Sequence, residues 1–123
     1  MYELRVTSQF SAAHLLRDHK GECENLHGHN WKIEAYVAGR ELGKDGLMID
    51  FKIIKEKVEK ALKELDHKYL NELEPFKKQN PSSENIARHI FTLLSREMNE
   101  GDIRVSKVTV WESDTASASY MES

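Results

Sequence analysis

The sequence predicts an α+β fold: a four-stranded antiparallel sheet with two helices on one face, in the order ββααββ. Three observations carry that expectation. Apolar residues alternate with polar ones over residues 2–10 and again over 27–38. Two central stretches, 51–65 and 86–94, repeat their apolar residues at helical spacing. Strand character then returns over 103–112, with a shorter piece at 118–122.

Each element has a local justification. Tyr2, Leu4, Val6 and Phe10 share one side of the first stretch, opposite Glu3, Arg5, Thr7 and Gln9, as in a half-buried strand. Residues 11–26 are polar and irregular, and read as a long loop carrying His14 and Cys23. In the second strand Trp31, Ile33, Ala35 and Val37 share the parity of His27 and His29, so the two histidines continue an apolar face. Gly39 to Gly46 is a turn region, and Leu47–Ile49 a short extended piece ending at Asp50, an N-cap. Phe51, Ile54, Val58, Ala61, Leu62 and Leu65 then line one side of a helix, with interleaved Lys and Glu on the solvated side. Residues 66–80 read as a loop broken by Pro75. Asn80-Pro81-Ser82-Ser83-Glu84 starts the second helix, with proline in the first turn and a polar cap. Ile86, Ala87, Ile90, Phe91 and Leu94 form its apolar stripe, and Gly101 closes it. Val105, Val108, Val110 and Trp111 mark the third strand.

The bulk properties narrow the function classes. A length of 123 residues fits one domain, residues 1–123. A net charge of −3 gives no argument for nucleic acid or a membrane surface as partner. A single cysteine excludes an internal disulfide. No apolar run is long enough to span a bilayer and no leader segment is visible, so the expected location is the cytoplasm, where a lone thiol can stay reduced. A sheet this small has edges to protect, so self-association is expected.

Chemistry concentrates in Cys23-Glu24-Asn25-Leu26-His27-Gly28-His29 and in His14 upstream. Residues two apart on a strand point the same way, so His27 and His29 aim two imidazoles at one point, with Gly28 expected to leave space between them. His14 would complete a three-histidine site with one open position, the pattern of a catalytic rather than a structural zinc. Cys23, placed just before the pair, is a candidate acid/base or nucleophile. His89 lies beside an apolar helical stripe and reads as a partly buried core histidine; His19 is a bystander, and Trp31 and Trp111 read as core.

Five motifs fall in one recognisable order: Phe10-Ser11-Ala12-Ala13-His14, Cys23-x-x-x-His27-Gly28-His29, Leu65-Asp66-His67, Asn80-Pro81-Ser82-Ser83-Glu84-Asn85 and Trp111-Glu112-Ser113. Together they resemble the 6-pyruvoyl-tetrahydropterin synthase family over nearly the whole chain. Three residues between Cys and His-Gly-His resemble its 6-carboxytetrahydropterin synthase branch, where the pyruvoyl-forming enzymes more typically have five. Pro81-Ser82 and Glu112-Ser113 stand where the family has Pro-Thr and Glu-Thr, which keeps each hydroxyl and loses a methyl.

The resemblance implies a tunnelling fold (T-fold), a hexamer built as two trimers, and zinc held by His14, His27 and His29. It implies a pterin triphosphate substrate, 7,8-dihydroneopterin triphosphate, cleaved on the way to 7-deazaguanine nucleosides such as queuosine or archaeosine. It assigns acid/base roles to Cys23, Asp66 and His67. It places Glu112 against the paired N–H donors of the pterin, with Ser82 and Ser83 lining the same site. Loss of triphosphate alone, giving 6-pyruvoyltetrahydropterin, is the alternative reaction. A pterin- or purine-binding module without turnover is an alternative of another class, which the joint presence of Cys23, Asp66 and His67 disfavours.

Overall fold

The structure, a computed structural model, describes residues 1–17 and 25–122; His19 and Cys23 lie outside the described residues. Strands β1 (Tyr2–His14) and β2 (His27–Gly39) pair antiparallel along their whole length, from Tyr2 opposite Gly39 to His14 opposite His27. The alternation read from the sequence decides which side is buried. Val6, Phe10, Ala12 and His14 face inward from β1, and Trp31, Ile33, Ala35 and Val37 are fully buried on β2. The loop expected from residue 11 therefore begins later, because Ser11–His14 prolong the strand. Its small residues have weak strand preference, and the ladder with residues 27–30 overrides it.

Beyond β2 the chain turns at Gly43–Gly46, where Gly46 takes a φ of 79° that favours glycine. The extended piece expected at Leu47–Ile49 pairs with no strand among the described residues. Asp50 caps α1 (Phe51–Lys63), accepting from the Lys52 N–H at 2.9 Å. Ile54, Val58, Ala61 and Leu62 form its buried stripe; Leu65, past the helix end, is also buried. The segment read as loop over 66–80 holds more structure than expected. Strand β3 (Lys68–Tyr69) runs parallel to β1 at Ala12–Ala13, and 3-10 turns at Leu70–Glu72 and Glu74–Phe76 bury Leu70 and Phe76. Helix α2 (Ser83–Met98) follows its cap Ser82, and β4 (Arg104–Ser113) and β5 (Ala116–Tyr120) form the closing antiparallel pair.

The sheet order is β3-β1-β2-β4-β5, with five strands among the described residues. The expected four antiparallel strands are thus corrected to a mixed five-stranded sheet, the addition being the two-residue parallel β3. Two residues are too short to show an alternation, so this strand leaves no signal in the sequence. It is set by tertiary contact: His67, in the left-handed region at φ 59°, donates its N–H to the Ser11 carbonyl at 2.6 Å.

Helix α1 packs on β1, α2 packs on β4 and β5, and the helices touch each other. Their apolar stripes and the inward face of the sheet form one core, in which each fully buried Val, Leu, Ile or Phe side chain contributes about 1.5–3 kcal/mol relative to exposure. The other sheet face is polar. There Glu34 is buried, held by Arg5 at 3.3 Å and by the Trp111 indole N–H at 2.6 Å. Trp111, expected in the core, lies half-buried on that face as the tether of a carboxylate. No helix among the described residues is long and apolar enough to cross a membrane.

Candidate metal centre

The register of β1 on β2 builds the site. His14 stands directly opposite His27, and His29 shares their face two residues on, opposite Ala12. Strand β4 adds a fourth group. Val108 and Val110 point into the core, and Glu112 continues their parity beside the histidines. One ligand atom from each of His14, His27, His29 and Glu112 lies within 4.8 Å of all the others. The Glu112 carboxylate is 3.4 Å from His29 Nε2 and 3.7 Å from His14 Nε2.

The hydrogen bonds on the far side of two rings fix where their lone pairs point. His14 Nδ1 meets the Pro81 carbonyl at 2.8 Å, and His27 Nδ1 meets the Asn25 carbonyl at 2.7 Å. A carbonyl oxygen only accepts, so each Nδ1 carries the ring hydrogen and each Nε2 presents a lone pair. Those two Nε2 atoms face each other at 3.0 Å. Two lone pairs at that distance repel unless a proton or a metal cation stands between them. In a tetrahedral zinc site with bonds near 2.0–2.1 Å, ligand nitrogens sit about 3.3 Å apart. The donor set therefore fits a divalent cation, and the carbonyl partners are the orienting contacts such ligands need.

The surroundings are dry below and open above. Trp31, fully buried, lies edge-on to His14 and His29 at centroid distances of 4.9 and 5.0 Å, and stacks on Phe10 at 6.1 Å. Side-chain exposure rises from 1% at His14 to 22% at His29 and 37% at Glu112. The cluster is thus anchored in the core at one end and accessible at the other, an arrangement that lets a ligand reach a held cation.

The remaining residues singled out in the sequence fall into separate places. Asp66 accepts from the Ser11 N–H at 2.9 Å and pairs with His67 Nδ1 at 3.0 Å. The Ser11 N–H and then the His67 ring hold the Asp66 carboxyl below the usual carboxylate range. Ser11 precedes His14 by three residues, about 10 Å along an extended strand, so this pair sits at the β3 edge away from the cluster. His67 projects outward with its side chain 82% exposed. Ser82 Oγ accepts from the Asn85 N–H at 3.1 Å as the cap of α2, and Ser83 opens that helix half-buried. Because Pro81 touches His14, the start of α2 adjoins the cluster. Gly28 points to the opposite face from its neighbours; a Cβ there would meet only the Ala12 carbonyl at 3.8 Å, so it does not open space between the imidazoles. His89 packs edge-on to Phe76 at 5.5 Å, and burial pushes its imidazole pKa down.

Sequence reasoning missed that Glu112 reaches the histidines. The parity of Val108, Val110 and Glu112 carried that signal. It also missed the carbonyls of Asn25 and Pro81, for which side-chain identity gives no signal.

Residues 3–123 match the family model described as 6-pyruvoyl tetrahydropterin synthase. The chain is 36% identical over 116 residues to the 6-carboxy-5,6,7,8-tetrahydropterin synthase of Synechocystis sp., covering 90% of this chain and 86% of the relative. It is 35% identical over 105 residues to the dihydroneopterin monophosphate aldolase of Pyrococcus furiosus, covering 85% and 84%. Among solved structures, the 6-pyruvoyl tetrahydropterin synthase of Caenorhabditis elegans superposes with a TM-score of 0.87 at 28% identity, over 99% of this chain and 96% of that one.

Proposed function

The chain belongs to the 6-pyruvoyl tetrahydropterin synthase family, and from that premise we propose that it is a zinc-dependent 6-carboxy-5,6,7,8-tetrahydropterin synthase. The reaction takes 7,8-dihydroneopterin triphosphate and one water to 6-carboxytetrahydropterin, acetaldehyde and triphosphate, as an early step towards 7-deazaguanine nucleosides. The observation that carries the reading is the convergence of His14, His27 and His29 beside Glu112 in a member of this family. The spacing Cys23-x-x-x-His27 resembles that of the carboxy-forming branch and supports this reading.

His14, His27 and His29 would hold the zinc, which when bound supplies Lewis-acid polarisation of the substrate's side-chain hydroxyls. Cys23, to which the family resemblance gives the role of general base, would take a proton from the substrate side chain as its thiolate. Asp66, kept ionised by the Ser11 N–H, pairs with His67 Nδ1 and so orients that ring for the second proton transfer. Glu112 accepts a bidentate pair of hydrogen bonds from the pterin's amino and ring N–H groups. Ser82 and Ser83 line the same site from the start of α2.

The working form is a cytoplasmic hexamer of two trimers, each chain a single domain. Support for assembly comes from the sheet edges, β3 and β5, and from the exposed Asp66–His67 pair at the β3 edge. A neighbouring copy packed on that edge would bring the pair to a second metal cluster.

A second reading follows from the Pyrococcus furiosus relative, whose name gives a monophosphate substrate. Parallel incubations of the zinc-loaded protein with dihydroneopterin triphosphate and monophosphate, followed by mass identification of products, separate the two. The proposal expects the triphosphate to be consumed and a 6-carboxy product to form. Turnover of the monophosphate alone would replace it with the aldolase reading, and release of triphosphate alone with the pyruvoyl-forming one.

A further inference from the structure

We infer that Asn80 and the segment it opens position His14 for metal binding, so that Asn80 is a positioning residue of the metal centre. The inference rests on the metal reading of the histidine cluster and goes beyond it. Strand β1 ends at His14, and the chain that follows is gripped by two asparagine side chains. Leu15 donates its N–H to Asn71 Oδ1 and accepts from Asn71 Nδ2, both at 3.0 Å. Arg17 donates its N–H to Asn80 Oδ1 at 2.8 Å and accepts from Asn80 Nδ2 at 2.9 Å. Each amide thus satisfies both backbone groups of one residue, as a neighbouring strand would. The Arg17 guanidinium tightens the same junction, donating to the carbonyls of Phe76 at 2.8 Å and of Asn71 and Gln79 at 3.4 Å.

These bonds close a circuit that ends on the metal cluster. From His14 the backbone runs to Arg17, crosses to the Asn80 side chain, continues one residue to Pro81, and returns through the Pro81 carbonyl to His14 Nδ1 at 2.8 Å. Little in the circuit can turn. Asn80 precedes a proline and is held extended, Pro81 has a fixed φ, and the Asn80 carbonyl is taken by Asn85 Nδ2 at 2.9 Å. Ser82 completes the segment by capping α2 through the Asn85 N–H. The Pro81 carbonyl is therefore aimed at one ring nitrogen of His14, which fixes the tautomer and points the other nitrogen at His27. The asparagine–proline signature thus has work to do at the metal, beside the substrate-lining role of the serines that follow it.

The test compares Asn80→Ala and Asn80→Asp with Asp50→Ala, which removes the cap of α1. Zinc affinity is measured by chelator competition, the absorption of the cobalt(II)-loaded protein reports ligand geometry, and Tm controls for stability. Asn80→Ala is expected to weaken zinc binding 10–100-fold, the usual effect of losing an orienting contact behind a metal ligand, and to alter the cobalt spectrum. Asn80→Asp, which retains the acceptor for the Arg17 N–H, should fall between. Asp50→Ala should lower Tm and leave affinity and spectrum unchanged. Wild-type affinity and spectrum in Asn80→Ala would overturn the inference, as would an equal loss in Asp50→Ala. Should Asn80→Ala not fold, Asn80→Asp decides by the same two readouts. A wild-type protein that binds no metal refutes the metal reading itself, which separates that failure from this one.

Discussion

His27 makes two contacts that define its chemistry: Nδ1 on the Asn25 carbonyl at 2.7 Å and Nε2 at 3.0 Å from its counterpart on His14. His27→Ala and His29→Ala should each lose most of the roughly one zinc per chain expected of the purified protein, measured by elemental analysis. Full retention in both sinks the ligand assignment. Cys23→Ala should keep zinc and pterin binding while single-turnover rates fall about 10²–10⁴-fold, the usual worth of a positioned acid/base group. A wild-type rate would make His67 the next base to test. His89 gives a pH signature. Burial lowers its folded pKa beneath the unfolded value of about 6.5, so its contribution to stability is complete above pH 6.5 and lost as pH falls towards the folded value. In metal-free protein, His89→Phe should therefore show a shallower fall of Tm between pH 7 and pH 5 than wild type; identical slopes contradict the assignment. At this scale the three histidines were legible because an H-x-H pair and a lone upstream histidine have a chemical meaning in the sequence itself. The carbonyls that aim them were not, because any residue at Asn25 or Pro81 supplies one.

The strands and helices divide by the strength of their periodicity. Trp31, Ile33, Ala35 and Val37 alternate with polar residues over the whole of β2, and the structure buries all four completely. Asp50 and Ser82 could be read as helix caps because short polar acceptors ahead of an apolar stripe satisfy the first N–H groups. The end of β1 was not legible: Ser11, Ala12 and Ala13 are poor strand formers, and only the ladder to residues 27–30 holds them extended. That ladder is what seats His14 opposite His27, so the missed residues belong to the site. Thermal or denaturant unfolding checks the packing account. Ile33→Ala should cost about 2–5 kcal/mol, as for other fully buried large-to-small changes, whereas Asp50→Ala should cost about 1 kcal/mol. Equal and small losses would mean that the β2 face does not carry the core.

For the whole molecule, the sheet edges decide how copies can meet. β3 offers only Lys68 and Tyr69, and β5 five residues, so both ends of the sheet carry backbone groups for a neighbour to pair with. Light scattering after size exclusion should give an oligomer, hexameric on the proposed assembly. An active species that stays monomeric at working concentration would contradict a site shared between copies. The most direct measurement of the proposed chemistry is product analysis. Zinc-loaded protein incubated with 7,8-dihydroneopterin triphosphate should yield 6-carboxytetrahydropterin, acetaldehyde and triphosphate in equal amounts by mass spectrometry. A pterin product that retains its three-carbon side chain, or unchanged substrate, would contradict the account.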